Sequence, residues 1–142
     1  MRCADILHTI GFDGNDGAYT VYLPDSAHRD ENERRFRKLY NAERDGFLAS
    51  DLDDYAVVLS RKEYGFEIHL LRLRHLSEVE RYTAFFRSRI RMLQNAQVAR
   101  YSAERYEDCF AGAEIYVSGN LICLLCTQNN GDVVDAIREA VR

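Results

Sequence analysis

Apolar positions along the chain follow two rhythms. Between residues 77 and 100 they recur at helical spacing. At 100° per residue, Val79, Thr83, Phe86, Ile90, Leu93 and Gln97 fall within about 40° of one line, with Tyr82 beside it. This stripe predicts a long helix over Ser77–Arg100. Ser77 stands where a side chain can cap the first turn. Glu78 and Glu80 lie at the positive end of the helix dipole, and Arg87, Arg89, Arg91 and Arg100 lie in the later turns. Phe85 points away from the stripe and is expected either to pack under a second element or to mark a partner surface.

On each side of this helix the rhythm shortens to two, which predicts a pair of hairpins. Tyr55–Leu59 and Phe66–Leu73 form the first, with a turn over Arg61–Gly65. In the second strand Phe66, Ile68 and Leu70 face one way, and Glu67, His69 and Leu71 the other. Residues 113–118 and Leu121–Cys126 form the second hairpin, with Ile115 and Val117 toward the core and Glu114 and Tyr116 opposite. Gly119-Asn120 joins them as a tight turn, because glycine accepts a positive φ at its first position. Leu121–Cys126 is apolar on both faces, so it needs cover on both sides, from the chain or from a neighbour.

The remaining segments are shorter. Cys3–Ile10 predicts a helix with Cys3, Ile6, Leu7 and Ile10 on one side. Gly11–Gly17 reads as a turn, since an EF-hand register counted from Asp13 places Ala18 and Pro24 where glycine and glutamate are required. Ala18–Leu23 predicts a strand ended by Pro24. A polar helix follows over Ala27–Arg44, capped by Asp25 or Ser26, carrying Phe36, Leu39 and Tyr40 and closed at Asp45-Gly46. Asp51–Asp54 is an acidic lead-in to the first hairpin. Tyr101–Phe110 predicts a second short helix, and a last helix starting at Asn129 or Asn130 buries Val133, Val134, Ile137, Ala140 and Val141. The order after residue 50 is β-β-α-α-β-β-α. The expectation is a single α+β domain over residues 1–142, with an antiparallel four-stranded sheet, a fifth strand if Ala18–Leu23 joins it, and helices mainly on one face in two layers.

Composition narrows the function classes. At 142 residues, 46 % apolar and 30 % charged, the chain is of a size and balance to bury its own core. A net charge of −4 argues against dedicated nucleic-acid binding, because phosphate contacts supply most of that affinity. On the helix, Arg87 and Arg91 lie on one flank of the stripe and Arg89 on the other, so they form no single basic face. No stretch approaches the roughly 20 apolar residues that span a bilayer. The first residues lack the apolar run of a secretion signal, which gives a cytoplasmic expectation for the sequence as written. If the sequence is part of a longer chain, an exported or lipid-anchored protein is the alternative.

Candidate chemistry is sparse. Cys123 and Cys126 have C-x-x-C spacing, but strand alternation sends them to opposite faces, so buried structural thiols are expected there and at Cys3 and Cys109. His8, His28, His69 and His75 stand at no metal-ligand spacing. Phosphate-loop, dinucleotide and nucleophile-elbow motifs are absent, as are the RNA-recognition strand order and its aromatic strands. Glu67 and His69 on one strand face, joined by Tyr116 if the hairpins pair, make the one acid–base cluster that can be built. Against it stands the plainer reading of a polar outer sheet face.

The order of features from Leu39 to Arg142 resembles a bacterial family catalogued as domain of unknown function 4358. The likeness is carried by the acidic lead-in before Tyr55–Leu59, the strand Gly65-Phe-Glu-Ile-His-Leu-Leu71, and a long helix with Arg87 and Gln94. Tyr101 and Tyr106, the Gly119-Asn120 turn, the apolar strand and the final helix complete it. Members of that family are mostly small proteins of Gram-positive bacteria, many of them predicted lipoproteins. This chain departs in lacking a lipobox and in carrying cysteines in the fourth strand. The resemblance implies the fold, no cofactor and no catalytic residue.

The function expected is therefore a non-catalytic binding or interaction domain. Its partner would be another protein, a small ligand or a second copy in a homodimer, held on a solvent-side face formed by Glu67, His69, Leu71, Glu114 and Tyr116. No metal site is assigned. The alternatives are an enzyme acting on a small molecule or cell-envelope material through Glu67 and His69, and a weak polyanion adaptor using Arg87 and Arg91.

Overall fold

A computed structural model describes residues 1–12, 17, 19–60, 66–100 and 112–142, with side chains given to residue 95 in the longest helix. The expected turn over 61–65, the expected helix over 101–110 with Cys109, and much of the Gly11–Gly17 turn lie outside the described residues.

The elements run α1 (Cys3–Thr9), β1 (Tyr19–Tyr22), α2 (Arg29–Leu39), β2 (Leu52–Ser60), β3 (Glu67–Leu73), α3 (Val79–Arg100), β4 (Glu114–Ser118), β5 (Leu121–Cys126) and α4 (Asn130–Val141). The strands form one five-stranded sheet in the order β1-β2-β3-β5-β4, antiparallel throughout. The α+β class, both hairpins and the fifth strand are as the sequence predicts. Gly119 has φ +59° while Asn120 keeps a negative φ, so the β4–β5 turn needs the left-handed region at its first position only.

The helices do not gather on one face. α2 and α3 cover one side of the sheet, where Phe36, Tyr40, Phe47, Tyr82 and Phe86 pack on Val57, Leu71, Ile122 and Leu124. α1 and α4 cover the other, where Cys3, Ile6, Leu7 and Ile137 pack on Val58, Ile68, Leu70 and Cys123. The expected two-layer arrangement is therefore corrected to three layers. The reason is visible in the inner strands: every residue of β5 is buried, and so are six of the seven in β3. A strand buried on both faces must be covered on both.

Two local corrections have physical causes. α2 ends at Leu39 instead of running to Arg44, because Asn41 adopts φ +53°. The Asn41 N–H then bonds Lys38 O at 3.2 Å and the Ala42 N–H bonds Arg37 O at 2.8 Å. This pair of reversed bonds closes a helix and turns the chain back. Ser77 does not cap α3; it lies inside a 3₁₀ turn, Leu76–Glu78, that leads into the helix. Phe85 packs inward, its ring centroid 5.3 Å from that of Tyr82 and 5.9 Å from that of Phe47.

β2 carries a register shift between Leu52 and Asp54. The extra residue is Asp53, which is exposed. Leu52 and Tyr55, three apart, consequently share the α2/α3 face, and Asp54 turns toward α1, where it accepts the Cys3 N–H at 2.6 Å. Cys3 and Cys123 lie in the α1/α4 core and Cys126 in the α2/α3 core, all three as reduced thiols. Burial, followed by the Asp54 charge, pushes the Cys3 thiol up to about 12, and burial likewise raises Cys123. Such thiols stay protonated and inert.

Candidate functional site: a buried tyrosine, histidine, glutamate and arginine chain

Three elements converge on His69. β3 places Glu67 and His69 two residues apart on its α2/α3 face. The turn that closes α2 fixes Tyr40, the residue after its last turn, over the imidazole. α3 delivers Arg89 from three residues beyond the buried Phe86, on the flank of its stripe away from Arg87 and Arg91.

The polar ends meet in series. The Tyr40 hydroxyl lies 2.6 Å from His69 Nδ1, and His69 Nε2 lies 2.6 Å from Glu67 Oε1. Arg89 donates to both oxygens of Glu67, from Nε to Oε1 at 3.1 Å and from Nη2 to Oε2 at 2.5 Å. Tyr40 and His69 are fully buried and Glu67 nearly so. Protonation follows from counting donors. Glu67 as a carboxylate only accepts, so Nε2 carries the imidazole hydrogen and Nδ1 accepts from the Tyr40 O–H. An imidazolium would strand the tyrosine hydrogen in the core.

Electrostatics agree. Burial lowers the His69 pKa and outweighs the Glu67 hydrogen bond and charge that raise it, so the ring is neutral. Burial alone would raise Glu67, but the hydrogen bonds from His69 and Arg89, together with the Arg89 charge, leave its carboxyl below the ordinary 4.5. Burial, then the Glu67 charge, raises the Tyr40 phenol well above 10. The result is one ion pair, Glu67 with Arg89, extended inward by two neutral groups. Among the described residues, no buried side-chain nitrogen or oxygen is left without a partner.

The remaining expected site residues lie elsewhere. Leu71 is fully buried in the α2/α3 core. Glu114 and Tyr116 pair with Leu125 and Cys123, which puts them on the opposite face of the sheet from His69. Tyr116 packs against the α1/α4 core and lies 5.6 Å from the Arg138 guanidinium. The solvent-side face of Glu67, His69, Leu71, Glu114 and Tyr116 is thus corrected: three members are buried under α2 and α3, and two lie across the sheet. The cause is the third layer. Arg87 reaches Glu80 at 3.5 Å, and Arg91 is exposed. Sequence reasoning found Glu67 and His69 but missed Tyr40 and Arg89. The available signal was the doubly apolar Leu121–Cys126 beside them, which requires that face to be covered.

A second knot ties α3 to the residues before β2. Tyr82 Oη lies 2.6 Å from Asp51 Oδ2, and Arg81 reaches the same oxygen at 2.8 Å. The acidic lead-in is a clasp for α3. Among the described residues, no group of histidine, cysteine, aspartate or glutamate side chains is placed to hold a metal ion, and no helix is long and apolar enough to cross a membrane.

Three accessible grooves border α2, and a further one of about 510 Å³ lies beside α1, lined by Arg2, Asp5, Asp54 and Arg72. One groove of about 510 Å³ runs between Val21 and Tyr22 of β1 and Glu31, Asn32 and Arg35 of α2. A second, of about 280 Å³, is lined by Arg29, Asp53, Tyr55 and Arg74. A third, of about 550 Å³, runs along α2 from Asp30 to Lys38 and on to Arg44. None is lined by Tyr40, Glu67 or His69. Set against family models, curated protein sequences and solved structures, the chain matches none.

Proposed function

We propose that this chain is a non-catalytic binding domain that engages its partner through the outer side of α2. The observation that carries the reading is the sealing of its acid–base chain. Both ring nitrogens of His69 are spent, one on Tyr40 and one on Glu67, and the ring is fully buried. A general base must come within hydrogen-bond reach of a substrate proton, and this one is enclosed by Tyr40, Phe86 and the sheet. Its role is then structural: it ties α2, β3 and α3 together and holds the outer side of α2 in place. That side borders the three open grooves and carries most of its charge to solvent. The resemblance to family 4358, which implies no catalytic residue, agrees with this reading.

The test is partner capture from extracts of the source cells with three proteins: wild type, Glu31→Lys/Arg34→Glu on the outside of α2, and His69→Gln. Thermal transitions verify that each is folded. The expected result is a saturable partner held by wild type and by His69→Gln and lost by the α2 variant. A reaction catalysed by wild type and abolished in folded His69→Gln, with the α2 variant still active, overturns the reading in favour of an enzyme.

A further inference from the structure

We infer that the basic groove along α2 takes a short acidic peptide segment of a partner protein. The inference rests on the binding-domain reading and adds the chemistry of the ligand. Asp30, Glu33, Arg34, Arg37, Lys38 and Arg44 line this groove. Arg34 and Lys38 are one helical turn apart and share a face. The reversal at Asn41 then brings Arg44 back to the same groove.

The charges do not cancel within the chain. Glu33 is committed to the Arg37 guanidinium and to the Ala49 N–H, the latter at 2.7 Å. Arg37 is also held by Phe47 O at 3.2 Å. Arg34, Lys38 and Arg44 are exposed, and none has an ion-pair or side-chain hydrogen-bond partner among the described residues. Against these three cations stands the single carboxylate of Asp30. Like charges set side by side repel, and a complementary anionic partner relieves that repulsion. The part the helix dipole plays is confined to the last turn, which holds Lys38 but not Arg34.

The anion class follows from spacing and from the rest of the molecule. Alternate side chains of an extended peptide project to one side about 6.6 Å apart, close to the ~6 Å between neighbours one turn apart on a helix. Two acidic residues at i and i+2 therefore meet Arg34 and Lys38 together, with Arg44 available to a third. Guanidinium forks bind carboxylates through two parallel hydrogen bonds. A long polyanion such as RNA would also run over a surface of opposite preference, since the whole chain carries −4. A short segment meets only the basic groove.

The experiment is fluorescence anisotropy on the full chain with a labelled octapeptide of alternating glutamate and serine, and a lysine–serine octapeptide as control. The proteins are wild type, Arg34→Glu/Lys38→Glu/Arg44→Glu, and Arg87→Glu/Arg91→Glu on α3, each checked for fold by far-ultraviolet circular dichroism. The expected result is binding of the acidic peptide alone, weakened between ~50 and ~200 mM salt, lost by about tenfold or more in the α2 triple variant and kept in the α3 pair. Equal loss in both variants overturns the inference, because bulk charge then explains it. So does wild-type affinity in the triple variant, or binding of sodium tripolyphosphate with none of the peptide. If the peptide fails to bind while partner capture still depends on the outside of α2, the ligand class falls and the binding-domain reading stands. If capture is independent of α2, both fall.

Discussion

His69 sits where water does not reach it, and that fixes how its charge responds to acid. Its folded pKa lies below the ordinary 6.5, so the unfolded chain takes up a proton first as pH falls. Stability from this site is complete above about pH 6.5 and declines as pH drops toward the folded value, at about 1.4 kcal/mol per pH unit for one proton. Glu67, also lowered, adds a loss of the same sign below about 4.5. His28 works oppositely, since its hydrogen bond to Asp25 raises its pKa. The difference between wild type and His69→Gln isolates the buried ring: urea melts at pH 7.0 and 5.5 are expected to show a smaller acid loss in the variant. An equal loss would mean that His69 is charged in the fold. Leu71 supplies a second check. As a surface contact its truncation would leave stability nearly unchanged; as a core residue, Leu71→Ala is expected to cost about 2–5 kcal/mol by denaturant titration. The alternation Glu67, His69, Leu71 reads as a half-polar outer face because strand period reports which residues share a side, never whether that side is covered. Tyr40, 29 positions before His69, and Arg89, 22 after Glu67, neutralise that face from outside any sequence window.

At the scale of elements, turn chemistry was more legible than helix length. Gly119-Asn120 reads directly as a hairpin because only the first position needs positive φ, and glycine is there. A Cβ at Gly119 would meet nothing within 4 Å, so Gly119→Ala tests the backbone alone. The expected loss is about 1 kcal/mol, read from the thermal transition, with the fold unchanged. Asn41 escaped the sequence reading because asparagine enters the left-handed region less regularly than glycine, and Asp45-Gly46 offered a more familiar stop further on. α3 was legible from its stripe, which set Arg89 on the opposite flank from Arg87 and Arg91 but could not say which flank turns inward. Arg89, at the margin of the stripe, is drawn in by the Glu67 carboxylate.

At the scale of the molecule, helices of the same chain cover both faces of the inner strands. The expectation of a homodimer came from Leu71 and the doubly apolar β5, and both are covered by helices of the same chain. Multi-angle light scattering across a concentration series is expected to give a monomer near 16.5 kDa. A stable dimer would turn attention to the outer strands β1 and β4, which each pair with a single neighbour. The class of the fold was readable from element order, whereas the third layer depends on where α1 and α4 dock, and amphipathic helices do not declare which side of a sheet they will take. Their docking has a consequence for biosynthesis. α1 is synthesised before α4, against which it packs. Throughout translation the apolar side of α1 therefore has no native neighbour from α4, and the strands beneath it emerge in stages. A nascent chain arrested before residue 130 would hold that half of its interior open to solvent, a state in which a chaperone, and not the fold, provides the missing cover.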